Sequence, residues 1–352
     1  MVDKYSFVIG IMSGTSLDGV DFAYVKFNEN NYSDFEIINA KTISYSAEWR
    51  SKLQTAIFFS KDKLRNLNVD YGKLLAKKTN DFIDEFKIDK IDFIASHGHT
   101  VLHQPEKGVT LQIGDGQIIA NLTKQKVVCD FRTQDVNLGG QGAPLVPVGD
   151  ELLFSEYDYC LNLGGFANIS YNKNGKRIAF DICPVNIVLN KYAQKLGMEF
   201  DDKGNIASTG KFLMALEAEL RKLKYYLDKP PKSLGLEWVQ KEVFPLLESS
   251  KRKPEDLLRT FTTHIAWAIT KALPKNAKVL VTGGGAYNDY LLKQVLKMKK
   301  LELVVPNTLL IEYKEALIFA FLGVLRVDNQ VNCLSSVTGA NKDHSSGEIF
   351  YP

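Results

Sequence analysis

Two spacings of hydrophobic residues alternate along this chain of 352 residues. Runs with apolar side chains at every second position, bounded by Gly, Asn or Ser, predict strands, and longer stretches with a repeat of 3.6 residues predict helices. The first half is predicted to contain three strands, a helical stretch, two strands, a helix and a further strand, in the order 5–12, 21–27, 35–44, 47–87, 91–96, 110–113, 115–124 and 127–129.

The second half repeats this order of elements without repeating the residues. We predict strands at 157–163, 168–171, 177–180, 278–282 and 301–305, and helices at 185–197, 211–227, 254–273, 287–300 and 314–326. Alternation of this kind predicts α/β layers. The Gly- and Pro-rich segment 138–147 interrupts the pattern, so it is the best candidate for a linker or hinge. We therefore predict an N-terminal domain at 1–140 and a C-terminal domain at 141–352.

Composition restricts the class of protein. The chain is 45% hydrophobic and 24% charged with a net charge of +3, which is ordinary globular composition and lacks the dense basic stripe of a nucleic-acid binder. Four widely spaced cysteines without a CxxC motif predict reduced core thiols. The longest apolar stretch, 316–325, is far below the ~20 residues that span a bilayer. The N-terminus does not resemble a signal peptide, so we expect a cytoplasmic protein without a membrane partner.

Three glycine turns each follow a predicted strand, at Ser13–Ser16, Asn162–Gly165 and Thr282–Ala286. Glycine lets backbone N–H groups approach an anion closely, and one such turn often serves geometry alone. Three turns spread over two similar halves favour phosphate binding. GxxxxGK[ST] and GxGxxG are both absent, which argues against a P-loop enzyme and a simple dinucleotide-binding fold.

Five polar side chains near strand ends are candidates for chemistry. Asp181 closes a strand and could serve as a general base, or it could be a helix cap or surface acid. His97, in a group of three histidines, suits polar contact with a sugar or phosphate better than metal binding, with plain loop structure as the alternative. Arg132 could bind a carboxylate or form an ion pair. Asp18 could hold Mg²⁺ or cap its turn. Glu315 begins a predicted helix, where the helix dipole alone favours an acid, so its role could be purely local.

Several longer strings together resemble one known family, that of anhydro-N-acetylmuramic acid kinase. The resemblance runs from about residue 9 to residue 340. It implies an α/β fold of the sugar kinase, actin and heat-shock chaperone ATPase superfamily, with two ribonuclease-H-like lobes around a nucleotide cleft. The strings that carry the resemblance are GIMSGTSLDGVD (10–21), SHGHT (96–100), LQIGDG (111–116), GGQGAPLVP (139–147), NLGG (162–165) and SVTGA (336–340).

The resemblance implies that ATP, water and 1,6-anhydro-N-acetylmuramic acid give ADP and N-acetylmuramic acid 6-phosphate, in recycling of the bacterial cell wall. Asp181 would be the catalytic base that activates water. His97, Arg132 and Glu315 would bind the sugar, Mg²⁺ would be held by Asp18, and a homodimer is expected. The residues expected to bind ATP are Gly14, Thr15, Ser16, Leu17, Asp18, Gly19, Val20, Asp21, Gly164, Gly165, Gly283, Gly284 and Gly285.

One string departs from the family. The family usually shows Asp-Thr-Gly-Pro-Gly-Asn where this chain has Asp181-Ile182-Cys183-Pro184-Val185-Asn186. The base is kept, while Thr and both Gly are replaced by bulkier or less polar residues. This leaves two alternatives open: a kinase for another amino sugar, or a weakly active nucleotide-binding regulatory protein with the same fold.

Overall fold

The computed structural model describes residues 4–14 and 17–352, which form two compact units. Unit 1 contains the chain up to Ser155 together with Tyr313–Pro352, and unit 2 is Glu156–Glu312. Among the described residues, the helices are too short or too polar to span a lipid bilayer.

Unit 1 is built on a mixed sheet packed against helices. Its strands are β1 (Tyr5–Ser13), β2 (Gly19–Asn28), β3 (Phe35–Ser44), β4 (Phe93–Gln104), β5 (Val109–Ile113) and β6 (Val127–Cys129), joined by a C-terminal strand, Glu348–Phe350. Its helices before residue 156 are α1 (Ala47–Thr55), α2 (Lys61–Phe86), α3 (Gly116–Thr123), α4 (Thr133–Asn137) and α5 (Val146–Leu153), with short 3₁₀ turns at Ala56–Phe58 and Pro105–Lys107.

Unit 2 contains the second sheet. Its strands are β7 (Tyr159–Leu163), β8 (Phe166–Lys173), β9 (Lys176–Pro184), β10 (Lys278–Thr282) and β11 (Glu302–Val304). Its helices are α6 (Asn186–Gln194), α7 (Asn205–Thr209), α8 (Met214–Arg221), α9 (Leu236–Trp238), α10 (Phe244–Ser249), α11 (Pro254–Ala272) and α12 (Asp289–Met298), with 3₁₀ turns at Asp202–Gly204, Lys224–Tyr226 and Gly284–Tyr287 and a π turn at Val239–Val243. Helix α13 (Thr308–Val327), which kinks at Tyr313, begins in unit 2 and ends in unit 1. Helix α14 (Ser335–Thr338) and the C-terminal strand Glu348–Phe350, called β12, belong to unit 1.

The two sheets share one strand order. In unit 1, β3, β2 and β1 are antiparallel neighbours, and β4 and β6 continue the sheet parallel to β1. In unit 2, β9, β8 and β7 are antiparallel, and β10 and β11 continue it parallel to β7. Each sheet is thus an antiparallel meander of three strands that two parallel strands extend, and the repeated order of elements agrees with the doubled pattern in the sequence. The α/β fold class with two related lobes is therefore confirmed.

The grouping of the chain differs from the division predicted at residue 140. Segment 138–147 lies inside unit 1, where Gly140 N donates to Asp135 O and Gln141 N donates to Thr338 O. The last forty residues also group with unit 1, where β12 pairs with β6. A division at one point of the sequence cannot capture a unit that the chain leaves and enters again.

The helical stretch predicted at 47–87 consists of two helices. Ser46 caps α1 by accepting a hydrogen bond from Trp49 N, and Ser60 caps α2 by accepting one from Lys63 N. A serine that accepts from a first-turn N–H satisfies one of the unpaired donors at a helix start. The second cap therefore divides a stretch that is continuous by hydrophobic spacing alone.

Candidate active site

A row of polar side chains crosses the sheet of unit 2. Thr282 on β10 is paired with Asn162 on β7, Asn162 with Asn168 on β8, and Asn168 with Asp181 on β9. Residues directly opposite each other on neighbouring strands project to the same face of a sheet. Leu161, Leu163, Ala167, Ile169 and Val281, which alternate with the row, are buried in the helical core of unit 2. The polar row therefore lies on the opposite face, at the carboxyl ends of the parallel strands β7 and β10.

A β-bulge in β9 sets the position of Asp181. Ala167 pairs with Cys183 and Asn168 with Asp181, so one residue of β8 faces two of β9 across this step. The extra residue, Ile182, lets Cys183 enter the core while Asp181 joins the polar row. Bulges redirect side chains in this way and are common beside active sites.

Backbone groups from one loop hold Asp181 in place. Leu234 N donates to Asp181 Oδ2 at 2.8 Å, and Asp181 N donates to Lys232 O at 3.1 Å. Tyr225 donates its hydroxyl to Asp181 O at 2.5 Å. Burial raises the pKa of Asp181, and the Leu234 N–H partly opposes this shift. A carboxylate with a raised pKa is a better proton acceptor near neutral pH than an ordinary aspartate.

The glycine turns of unit 2 meet at the end of the polar row. Gly283 has φ +79°, and a Cβ there would lie 2.6 Å from Asn162 Oδ1, so only glycine fits. A Cβ on Gly284 would meet only Asn186 Nδ2, at 3.7 Å, so the backbone there faces open space. Gly164 N donates to Phe166 O and is already used within the turn. Thr282 Oγ1 is buried and makes no hydrogen bond to the residues that the structure describes.

Unit 1 fixes the guanidinium of Arg132. Arg132 follows β6 in a tight turn, where Asp130 adopts φ +56° and accepts a hydrogen bond from Thr133 Oγ1 at 2.6 Å. Arg132 Nε donates to His97 Nε2 at 2.9 Å, and its Nη1 donates to Gly142 O at 2.6 Å. His97 Nδ1 lies 2.9 Å from Gly98 O, which can only accept, so both ring nitrogens of His97 are committed.

Glu315 contributes a carboxylate near Arg132. The Glu315 residue reaches solvent, but the protein atoms around its carboxylate raise the pKa of that group, and the charge of Arg132 opposes this shift. Burial has the opposite effect on a cation: it lowers the pKa of Arg132 to about 10, which leaves the guanidinium charged. A cation held by two hydrogen bonds and a partly desolvated acid can bind the hydroxyl and carboxylate groups of a polar ligand.

A chain of hydrogen bonds anchors the end of β1. Ser13 Oγ lies 2.7 Å from Tyr45 OH and 3.0 Å from His99 Nδ1, and Tyr45 OH lies 2.5 Å from Tyr71 OH. Burial lowers the pKa of His99 to about 4, so the ring is neutral at physiological pH. The turn that follows begins at Gly14; Thr15 and Ser16, two of the predicted ATP-binding residues, lie outside the described residues. Leu17 has φ +61°, an unusual conformation for a bulky residue.

A second bulge separates the histidines of β4. Ile11 pairs with Ser96 and Ser13 with His99, so β4 has one extra residue, and Gly98 adopts φ +72° within it. His97 packs against the ring of Phe319, whereas His99 lies against Tyr71. The histidines therefore belong to different contacts, and they do not form a joint metal site.

Comparison with known proteins agrees with this architecture. The family model for anhydro-N-acetylmuramic acid kinase matches residues 6–352. The enzyme of that name from Mannheimia succiniciproducens is 36% identical, over 98% of each chain. Those from Xylella fastidiosa and Acinetobacter baylyi are 35% and 34% identical, over 94% of this chain and 93% and 96% of theirs. The chain belongs to the anhydro-N-acetylmuramic acid kinase family. The resemblance predicted from the sequence strings is confirmed.

The departure from the family string lies mostly in the core. Ile182, Cys183 and Val185 are at most 4% exposed and belong to the hydrophobic core of unit 2, on the face opposite the polar row. Val185 has φ −130°, so a side chain meets no left-handed strain there. The residues that differ from the family string are therefore buried in the core behind Asp181.

Sequence motifs identified some site residues and missed others. Asp181 was found because it ends a strand, and the glycine turns because they follow strands. The sequence alone did not single out Asn168 and Thr282 as members of the polar row. Only the pairing of neighbouring strands places them beside Asn162 and Asp181. Leu234 could not have been found, because its loop carries no motif and its contact with Asp181 spans 53 residues.

Proposed function

We propose that this chain opens the 1,6-anhydro bridge of anhydro-N-acetylmuramic acid with water and phosphorylates O6, giving N-acetylmuramic acid 6-phosphate and ADP. The observation that carries the proposal is Asp181, a carboxylate with a raised pKa held by backbone groups in a member of this kinase family. The core position of Ile182, Cys183 and Val185 favours this sugar over another amino sugar, because the residues that differ do not face the carboxylate.

Asp181 accepts the proton of the attacking water. The water oxygen forms a bond to C1 of the sugar as the bond from C1 to O6 breaks, and O6 takes the phosphoryl group. ATP supplies the phosphoryl group, and Mg²⁺ neutralises charge on the phosphate oxygens when both are bound. A base that is fixed by Leu234 N before the substrate arrives has less reorganisation to complete in the transition state.

The remaining residues bind and orient. Backbone N–H groups at Gly165, Gly284 and Gly285, and those of residues 14–21, would contact phosphate oxygens. Asp18 is exposed, and its carboxylate is the type of ligand that Mg²⁺ takes, often through water. Arg132 would bind the carboxylate of the sugar, Glu315 its hydroxyl groups, and His97 would hold the guanidinium of Arg132 in orientation.

The test is ADP release measured with and without anhydro-N-acetylmuramic acid, with the product weighed by mass spectrometry. We expect sugar-dependent release and a product that has gained one water and one phosphate. Release with another amino sugar alone, or ATP binding without turnover, would refute the proposal. Because the base must be ionised, turnover should fall as pH drops through the pKa of Asp181, at a pH above the ~3.9 of an ordinary aspartate.

A further inference from the structure

Unit 1 contains a buried cluster of three side chains with metal-ligating atoms, Asp135, Cys333 and His344, here called the Asp–Cys–His cluster. Their exposed fractions are 0%, 1% and 6%. The carboxylate, thiol and imidazole atoms all lie within 4.8 Å of one another. The Cys333 thiol donates to Asp135 Oδ1 at 3.1 Å, and His344 Nε2 is 3.6 Å from the same oxygen.

The backbone brings two of these residues together. Cys333 and His344 form an antiparallel bridge, in which Cys333 N donates to His344 O at 3.1 Å and His344 N donates to Cys333 O at 3.2 Å. Asp135 approaches from α4, about two hundred residues earlier in the chain. The cluster therefore joins the start of the glycine-rich segment to the C-terminal segment of unit 1.

The orientation of His344 leaves one nitrogen of its ring without a hydrogen-bond partner among the described residues. His344 Nδ1 lies 3.1 Å from Lys342 O, and since a carbonyl oxygen only accepts, Nδ1 carries the hydrogen. His344 Nε2 lies on the side of Asp135, 3.6 Å from its Oδ1. Within the described part of the chain, Nε2 has no hydrogen-bond partner. A buried polar atom without a partner carries a desolvation cost, which a cation bound beside it would offset.

The distances within the cluster are close to those between ligands of one metal ion. Nitrogen and oxygen ligands at about 2.0–2.1 Å from a tetrahedral ion lie roughly 3.3–3.4 Å apart, and sulfur and oxygen ligands roughly 3.5 Å apart. The observed separations of 3.6 and 3.1 Å lie on either side of these values.

The surrounding groups orient the three side chains as the outer partners of metal ligands do. Gly142 N donates to Asp135 Oδ2 at 2.6 Å, and Thr338 Oγ1 donates to Asp135 Oδ1 at 2.7 Å. A metal-binding histidine usually donates its other ring N–H to a carbonyl or carboxylate, as His344 does to Lys342 O. These partners fix the carboxylate and the ring without occupying Nε2.

We propose that Asp135, Cys333 and His344 bind a divalent transition-metal ion of the zinc class. Thiolate, imidazole and carboxylate are the ligands that Zn²⁺ takes, and a tetrahedral ion would keep one position for a small ligand such as water. Binding forms a metal–sulfur bond, and the thiol proton of Cys333 leaves to solvent. The ion would tie Gly142 to the C-terminal segment, and Gly142 O in turn accepts from Arg132 Nη1.

The test uses the full chain, loaded with Zn²⁺ or Co²⁺ and dialysed, with metal content measured by elemental mass spectrometry. We expect about one equivalent per chain and, for Co²⁺, a thiolate-to-metal charge-transfer band in the near ultraviolet. Cys333→Ser should abolish the band, and His344→Asn should lower metal retention at least tenfold. Cys129→Ser, a buried cysteine of the same unit outside the cluster, is the matched control and should bind normally.

The outcomes separate a built site from adventitious binding. Failure of the wild-type chain to retain either metal, or equal retention by all variants, would overturn the proposal. If the variants do not fold, the cobalt band of the wild-type chain decides, because only sulfur ligation produces it. Kinase activity is not part of the readout, so failure here and failure of the proposed function are distinguishable.

Discussion

The two units share one strand order but hold their candidate functional groups by different means. In unit 1, side chains hold side chains: His97 orients Arg132, and Tyr45, Tyr71 and His99 anchor Ser13. In unit 2, backbone groups hold Asp181. A side-chain network depends on the identity of each member, whereas a backbone cradle requires only the path of the chain. Unit 1 should therefore be the less tolerant of substitution around its site.

The largest effect is expected from Asp181→Asn. Asparagine keeps an oxygen that can accept from Leu234 N but cannot accept the proton of water, so turnover should fall roughly 10²- to 10⁴-fold while ATP binding stays close to that of the wild type. Steady-state ADP release and calorimetric ATP titration measure the two quantities. Turnover like that of the wild type would remove Asp181 from the mechanism.

The matched control for this variant is Asp201→Asn. Asp201 is another buried aspartate of unit 2 with a raised pKa, and it accepts from Ile206 N and Ala207 N at the start of α7. Loss of these bonds should lower the melting temperature and leave turnover per folded molecule unchanged. Equal losses of turnover in both variants would mean that Asp181 acts through stability.

Arg132→Lys tests whether the side-chain network of unit 1 is as strict as we infer. Lysine cannot donate to His97 and Gly142 from one planar group, and each hydrogen bond of a charged group contributes about 1.5–3 kcal/mol. We expect KM for the sugar to rise roughly ten- to hundred-fold with a smaller change in kcat. Arg326→Lys, where Arg326 Nε donates to Gly347 O in the same unit, should leave KM unchanged.

Some strands could be predicted to the residue, and the reason is local. The bounds predicted for β3, β6 and β10 agree with the structure. Strands β6 and β10 are short and mostly apolar, and β3 alternates between apolar and polar residues along much of its length. Strand β4 was predicted to end at Ser96 but continues to Gln104, because pairing with β5 extends it through polar positions. A partner strand can extend pairing through polar positions that the hydrophobic pattern alone does not mark as a strand.

The candidate site shows the same limit. The sequence identified Asp181, Arg132 and Glu315 individually from residue type and position. It could not place Leu234 against Asp181, nor Asp135 against Cys333 and His344, because those contacts depend on loops and on a C-terminal segment that returns to unit 1. The family departure at Val185 could be read from the sequence, whereas the burial of its side chain in the core of unit 2 could not.

Val185→Gly tests whether the departure from the family string at 181–186 affects only the packing of the core. Val185 is fully buried, so loss of its side chain should lower the free energy of unfolding by about 1.5–3 kcal/mol. Turnover at a temperature well below the transition should stay within a few-fold of the wild type. Val185→Ala should give an intermediate loss of stability. A collapse of activity in folded Val185→Gly would show that this side chain shapes the site.

A further effect is expected in the pH dependence of stability, through His99 of unit 1. Burial lowers the pKa of His99 to about 4, against ~6.5 in an unfolded chain. Between these values the unfolded state binds a proton that the folded state does not, so stability falls as pH drops from about 6.5 to 4, by about 1.4 kcal/mol per pH unit. His99→Asn should flatten this slope in denaturant titrations at several pH values, whereas His103→Asn, at an exposed position of β4, should change it little. An unchanged slope in His99→Asn would mean that the ring is protonated in the folded chain, and the hydrogen-bond network at Ser13 would then carry a charge.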